Sequence, residues 1–308
     1  MKRLVAAFVL LSVLGLVALE RYDRPPLPPG QWLRTLGLEE RFATLHGVRV
    51  RYVRAGQGPA VVLIHGLASS IYTWKDEIPA LAREHEVVAL DLPGFGWSGQ
   101  PADLSFDLYP QVVVALMDEL GLARASLVGN SLGGAVASVV AARQPERVDR
   151  LVLIDAVGFN LRAADQPVLV RLASHPLAEA VVSRLPLQRL LVTLGLRQVF
   201  HDDTRVTEER VNEYLAAAAR PGTLASLRSL AASLHPSPED TEDLLRHVAA
   251  PTLVVWGGED AWIPLAHADR FVGAIGGSRK VVLPGVGHTP QEEKPEEVVR
   301  LLLEFLEG

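Results

Sequence analysis

Leu127-Val128-Gly129-Asn130-Ser131-Leu132-Gly133-Gly134 is the stretch on which the reading of this chain turns. Ala125 to Val128 is short and mostly apolar, the pattern of a buried strand. The exit is rich in small residues, with Gly133, Gly134, Ala135 and Ala137 opening a helix. The G-x-S-x-G spacing between strand and helix has a mechanical reason. A serine at the apex of so tight a turn sits in a strained backbone conformation and projects its hydroxyl outward. Gly129 and Gly133 flank the apex because a Cβ at either position collides with the neighbouring strand or helix. A purely structural Gly-Ser turn has the same five letters, so the surrounding sequence has to separate the two.

From about Glu40 the pattern is strand-like. Val48 to Val53 alternates apolar residues with charged or aromatic ones, as a strand with one wet face does. Ala60 to Ile64 and Val87 to Leu90 are unbroken apolar runs that suit central strands of a parallel sheet covered on both faces. A helix is expected around Trp74 to Glu84, and another over Pro110 to Leu120, where proline is tolerated in the first turn. The strand before Ser131, a helix to about Arg143 and the strand Leu151 to Ile154 follow. Thr252 to Trp256 and Lys280 to Leu283 repeat the strand signal, and Glu297 to Leu306 closes with an amphipathic helix. Strands alternating with helices imply a doubly wound α/β sheet, which places ligands beyond the carboxyl ends of its strands. The sheet domain is read over 40–157 and 249–308. Between them, 158–248 carries no convincing strand. It is rich in Leu, Ala, Val and Arg at helical spacing and broken at Pro167, Pro176, Pro186, Pro221 and Pro236. That insertion reads as a helical cap that roofs the site and shapes an apolar pocket, with a purely structural excursion as the alternative.

Bulk composition narrows the function classes. An apolar fraction of 49% over 308 residues is ample for a large core. A net charge of −6, with no Lys/Arg stripe interleaved with aromatics, argues against a nucleic-acid surface. With no cysteine, the chain has no disulfide, no thiolate zinc site and no cysteine nucleophile. None of its nine histidines falls in a close metal-binding pair. At the N-terminus, Lys2 and Arg3 precede an apolar run from Leu4 to Leu19. Residues 1–20 read as an uncleaved membrane anchor; a cleaved signal peptide and a helix docked on the domain are the alternatives. Lys2 and Arg3 on the cytoplasmic side would put the body outside the cytoplasm, periplasmic or extracellular, although Arg21 and Arg24 pull the other way. Residues 21–39 include Pro25-Pro26-Leu27-Pro28-Pro29-Gly30 and read as a stiff extended spacer.

Five features fall at the carboxyl ends of expected strands. Ser131 is the candidate nucleophile, and a serine hydroxyl needs an adjacent base. His288, in Pro284-Gly285-Val286-Gly287-His288-Thr289-Pro290, follows the last strand and is the candidate base. Asp260, in Trp256-Gly257-Gly258-Glu259-Asp260, can accept a bond from the other ring nitrogen and stabilise the imidazolium; Asp155 and Glu259 are the competing carboxylates. His65-Gly66 opens a turn whose backbone N–H at Leu67, paired with that of Leu132, can hold an oxyanion. Finally, Asp91 and Ser98, in the turn-rich Asp91-Leu92-Pro93-Gly94-Phe95-Gly96-Trp97-Ser98-Gly99, read as groups that bond their own loop, and His65 as a structural residue.

The order Ser131, Asp260, His288 and the motifs around each resemble the α/β-hydrolase superfamily over about Gly47 to the C-terminus. Within it the chain is similar to the capped branch, which includes carboxylesterases, lipases, C–C bond hydrolases, epoxide hydrolases and haloalkane dehalogenases. The resemblance implies an α/β-hydrolase fold: a mostly parallel, doubly wound sheet with an inserted helical cap. Epoxide hydrolases and haloalkane dehalogenases carry aspartate at the elbow, and Ser131 departs from them. C–C hydrolases often carry Gly-Asn-Ser with a following glycine pair, as here, but tend to have a glycine-rich oxyanion loop where this chain has His65-Gly66-Leu67-Ala68-Ser69-Ser70. The expectation is therefore a serine hydrolase acting on a small-molecule carboxylic ester with a hydrophobic acyl or alcohol part, a reading that calls for neither a metal nor an organic cofactor. C–C cleavage of a dienoate ring-fission product, acyl transfer, and a binding protein without turnover are the alternatives.

Overall fold

Each central strand buries both of its faces, so the strand positions of the sequence are filled without a polar break. In β3 (Ala60–Ile64), Val61 and Leu63 face one layer of helices and Val62 and Ile64 the other. In β6 (Val148–Ile154), Leu151 and Leu153 oppose Val152 and Ile154 in the same way. Each such side chain contributes about 1.5–3 kcal/mol on leaving water. With no residue left to face solvent, the run looks uninterrupted rather than alternating.

The computed structural model describes residues 30–101, 103–159, 187–233 and 238–308. The N-terminal apolar run, the spacer up to Pro29 and residues 160–186 and 234–237 of the expected cap lie outside them, and so does the anchor reading. Among the described residues no helix is long and apolar enough to cross a membrane.

Eight strands form one sheet in the order β1-β2-β4-β3-β5-β6-β7-β8. Besides β3 and β6 they are β1 (Arg41–Leu45), β2 (Val48–Ala55), β4 (Glu86–Leu90), β5 (Ala125–Asn130), β7 (Thr252–Gly257) and β8 (Arg279–Leu283). β2 pairs antiparallel with β1 and β4, and every other pairing is parallel. The sequence pattern did not single out β1. It is an edge strand with one buried residue, Leu45, joined to β2 through His46 and Gly47, both at positive φ (47° and 77°). That two-residue turn twists with the strands it connects.

One layer is formed by α3 (Leu108–Glu119), α4 (Leu132–Arg143) and α9 (Ala266–Ala274), introduced here with α1 (Gln31–Thr35) and α2 (Glu77–Leu81) before them. The opposite layer is α2 and α11 (Pro295–Glu307), whose Val298, Leu302 and Phe305 pack with Ile78 and Leu81. The long helix expected over Trp74 to Glu84 is instead a 3₁₀ turn, Ile71–Trp74, followed by the short α2. Pro79 explains the break: it lacks an N–H, and its ring clashes with the carbonyl four residues back, so no helix runs through from Trp74.

Within 158–248 the described residues form α5 (Gln188–Val199), α6 (Glu208–Ala218), α7 (Thr223–Ser233) and α8 (Pro238–Leu245), with no strand among them. α8 buries Leu245 against the sheet layer, and Glu242 pairs with Arg270 of α9 at 2.8 Å. The last described helix is α11, preceded by the single turn α10 (Pro290–Glu293). β3 lies between β4 and β5, so the winding reverses beside it. The crevice at the carboxyl ends of β3 and β5 is therefore the topological switch point.

Candidate active site

Ser131 sits between β5 and α4 at φ 54° and ψ −117°, left-handed territory that a non-glycine residue enters at a cost of about 1–3 kcal/mol. Its surroundings over-determine that conformation. The Ser131 N–H donates to Ile154 O at 2.9 Å, and Ser131 O accepts from the N–H groups of Gly134, Ala135 and Val157. A Cβ on Gly129 would stand 2.2 Å from Gly133 O, and one on Gly133 would stand 2.1 Å from Ile64 O. A Cβ on Gly134 would meet Ala156 Cβ at 2.5 Å. The three glycines are thus requirements of packing, and together they hold the serine at the end of the switch-point crevice.

His288 reaches Ser131 from the loop after β8. Its Nε2 lies 2.9 Å from Ser131 Oγ and its Nδ1 2.8 Å from Asp260 Oδ2. With Asp260 ionised, Nδ1–H donates to the carboxylate and Nε2 accepts the serine proton. Other bonds hold the His288 backbone and the neighbouring Asn130. The His288 N–H donates to Val199 O at 2.8 Å, and Asn130 Nδ2 donates to His288 O at 3.1 Å and to Ile154 O at 3.2 Å. Trp262 stacks on the imidazole, centroid to centroid 5.5 Å at 27°. Asp260 Oδ1 accepts from the N–H groups of Trp262 (2.7 Å) and Ile263 (3.0 Å). Burial pushes the Asp260 carboxyl up, but the charge and hydrogen bond of His288, with the Ile263 N–H among the smaller causes, outweigh it and hold the group below its ordinary value.

Of the two competing carboxylates, Glu259 is exposed. Asp155 ends β6 in full burial, with Oδ1 accepting from the Gly257 N–H at 3.0 Å. Burial and then the Asp260 charge push its carboxyl well above the carboxylate range. Asp155, Asp260 and His288 each bring one ligand-type atom within 4.8 Å of the others, a spacing a metal could use. Both imidazole nitrogens and Asp260 Oδ1 are committed to hydrogen bonds within the protein.

The turn after β3 lies against the serine: a Cβ on Gly66 would be 3.1 Å from Ser131 Cβ. Among the described residues, neither the Leu67 nor the Leu132 N–H donates to another protein group. Leu132 is the first residue of α4, where N–H groups have no partner within the helix. His65 is wholly buried; its Nε2 accepts from the Leu92 N–H (2.9 Å) and Nδ1 bonds Gly66 O (2.7 Å), while burial lowers its pKa. Asp91 accepts from the N–H groups of Ile71 and Trp97 and from Arg51, and Ser98 Oγ donates to Asp91 O at 2.6 Å. These three groups bond one another's loops, the turn at Ile71 and strand β2 as well as their own loop, and lie apart from the proton line.

A second polar cluster had no counterpart in the sequence reading. Glu292 and Glu293 follow His288 on α10, where a pair of acids ordinarily complements a helix start. Both are buried. Glu293 accepts from the N–H groups of Gly287 (2.6 Å), His201 and Asp202. Glu292 accepts from Thr73 Oγ1 at 2.7 Å, from Arg210 Nε at 2.8 Å and from the Tyr214 hydroxyl. Tyr214 Oη also lies 3.2 Å from Ser69 Oγ, in the turn that carries Leu67. One face of α6 thereby ties the cap to the histidine loop and to the loop after β3. On the same face Glu213 accepts from the Gly30 N–H; the spacer expected over 21–39 is not extended beyond that point, since Gln31–Thr35 form α1 and bury Trp32 and Leu33.

Comparison with known proteins identifies the family. The family model for the alpha/beta hydrolase fold matches residues 59–295. The chain is 33% identical over 271 residues to a 2-hydroxy-6-oxo-6-phenylhexa-2,4-dienoate hydrolase of Comamonas testosteroni, covering 83% of this chain and 91% of that one. It is 31% identical over 289 residues to a soluble epoxide hydrolase of a Corynebacterium strain, covering 85% and 95%. A bacterial membrane phospholipase A of known structure superposes with a TM-score of 0.73 at 26% identity, over 100% of this chain and 99% of that one.

Proposed function

This chain belongs to the alpha/beta-hydrolase family and is a hydrolase of that class, and on that premise we propose that it cleaves carboxylic esters through an acyl-enzyme on Ser131. The observation that carries the reading is the continuous line Ser131 Oγ, His288 Nε2, His288 Nδ1, Asp260 Oδ2, with steps of 2.9 and 2.8 Å. Ser131 attacks the ester carbonyl while His288 takes its proton; Asp260 holds the ring and stabilises the imidazolium. The N–H groups of Leu67 and Leu132 receive the developing oxyanion. His288 then gives its proton to the leaving alcohol, and water, activated by the same imidazole, releases the acyl group.

A serine at the elbow separates the chain from the epoxide-opening reading, which uses an aspartate there. The full-length likeness to a membrane phospholipase A supports an ester with a hydrophobic part. We extend this to attachment at a membrane through residues 4–19, with the domain outside the cytoplasm. The likeness to the dienoate hydrolase favours C–C cleavage by the same three groups as a second reading.

The test is a panel of esters of graded chain length beside a dienoate ring-fission product, assayed with the wild type and Ser131→Ala. Ester turnover that disappears in a folded Ser131→Ala supports the proposal. Turnover of the dienoate alone supports the second reading. A wild type that fails to react with a fluorophosphonate probe refutes both.

A further inference from the structure

We infer that Asp155 is a positioning residue that keeps its proton and donates it in a hydrogen bond to Asp260, locking that carboxylate against His288. The inference rests on the reading of Ser131, His288 and Asp260 as the catalytic groups. It begins from an imbalance at the carboxyl ends of β6 and β7. Two carboxyl groups lie together there, with ligand-type atoms no more than 4.8 Å apart and His288 in the same cluster. The Asp155 residue and the Asp260 side chain are both 0% exposed. Two buried carboxylates so close cannot both ionise without a large penalty, so the pair retains one proton.

The donors decide where that proton sits. Asp260 receives three N–H groups, from Trp262, Ile263 and His288. Asp155 receives one, from Gly257 at 3.0 Å, and its Oδ2 meets no donor among the described residues. An ionised Asp155 would leave that buried oxygen uncompensated, whereas a protonated one turns it into a donor facing an acceptor. Burial, the Asp260 charge and, more weakly, Glu293 all favour the neutral form, opposed only by the Gly257 N–H.

The backbone agrees with a placed side chain. Asp155 holds φ 43°, one of four non-glycine residues among those described at positive φ, and Asp tolerates that region better than most. Its N–H donates to Val255 O at 3.0 Å, which ties it to β7 just before the segment that carries Asp260. Asp155 does not exchange its proton during turnover. It fills the outer side of Asp260, as Trp262 and Ile263 fill another, so the carboxylate has one orientation left, toward Nδ1.

Two substitutions and two readouts test this. Asn at 155 keeps the geometry: its carbonyl accepts from Gly257 and its amide donates to Asp260. Ala removes the donor. Asp155→Ala is expected to lower kcat roughly tenfold to hundredfold with little change in KM, the value of one hydrogen bond to a charged group. Asp155→Asn is expected to recover most of that loss, with the acid limb of kcat/KM where the wild type has it. An ionised Asp155 would behave otherwise, because Asn would then delete a negative charge beside Asp260, His288 and Glu293 and move the acid limb to lower pH. That movement, or an Asn variant as impaired as Ala, overturns the inference.

The second readout needs no activity. A native state that holds a proton its unfolded chain has lost becomes less stable as pH rises above the ordinary aspartate range. The Tm of Asp155→Asn should therefore match the wild type near pH 4 and exceed it increasingly toward pH 8. A gap of the opposite sign, or none, overturns the inference. It does so even if Ser131→Ala has already refuted the ester reading.

Discussion

Removing the Glu292 carboxylate tests whether the cap is held to the histidine loop by one buried charge. Glu292 is 2% exposed and accepts from Thr73, Arg210 and Tyr214. Arg210 is buried too; burial alone would lower its pKa, and the facing Glu292 carboxylate overrides this and raises it. In Glu292→Ala the guanidinium keeps its bond to Arg205 O and its place over the Phe200 ring, 4.8 Å from the centroid. Its charge is left without a counter-ion in a site closed to water. Breaking a buried pair from one side costs about 3–5 kcal/mol. At roughly 2.1 cal/mol/K of unfolding entropy per residue, a chain of 308 residues loses about 5–8 °C of Tm.

Because the pair is desolvated, that loss should persist in 1 M salt, where an exposed pair would already be screened. Replacing both partners, Arg210→Met with Glu292→Leu, should recover part of it, since no charge remains unpaired. The assay is thermal unfolding of the two single variants and the double variant at low and high salt, with kcat on the best ester of the panel. kcat should fall in Glu292→Ala, because Glu292 neighbours the loop that fixes His288. A Tm change below about 2 °C, or one that vanishes in salt, refutes the claim that this pair fastens the cap.

Other substitutions reach separate parts of the argument. Gly133→Ala places a Cβ 2.1 Å from Ile64 O, against backbone that has no flexible side chain to yield, so soluble expression or Tm should collapse; a stable, active Gly133→Ala would contradict the packing of the elbow. Glu77 is fully buried with neither carboxyl oxygen bonded to another described residue, and burial, followed by the charge of Asp76 and more weakly Glu292 and Glu296, raises its pKa well above the carboxylate range. Its native form therefore holds a proton that the unfolded chain releases above about pH 4.5. Glu77→Gln should be more stable than the wild type at pH 7, the gap closing as pH falls to 4.5, and thermal unfolding across that range checks the sign.

Much of the architecture is legible in the chain alone because it rests on local requirements. The apolar runs at Ala60 to Ile64 and Leu151 to Ile154 suit strands covered on both faces, and the structure packs their alternate residues into two helical layers. The spacing of Gly129, Ser131 and Gly133 encodes a backbone so tight that its glycines have no substitute, and Ser131 stands at φ 54° where that spacing puts it. Local signals fail where a single residue changes the hydrogen bonding, as at Pro79, or where an edge strand such as β1 buries too little to show a pattern.

The rest belongs to the tertiary structure. Asp155, Glu259 and Asp260 are one chemical type at the carboxyl ends of β6 and β7; position and the order Ser131, Asp260, His288 favour Asp260, but periodicity alone does not separate them. The folded loop after β7 turns Asp260 toward Nδ1, leaves Glu259 exposed and closes Asp155 behind the pair. The partners of Glu292 lie 82, 78 and 219 residues away in the chain, and in sequence the residue is indistinguishable from any acid at a helix start. Periodicity and turn chemistry act over a few residues, so the sequence carries them openly. The burial of a charge, and with it the sign of its pKa shift and its place in the chemistry, depends on what distant segments bring against it.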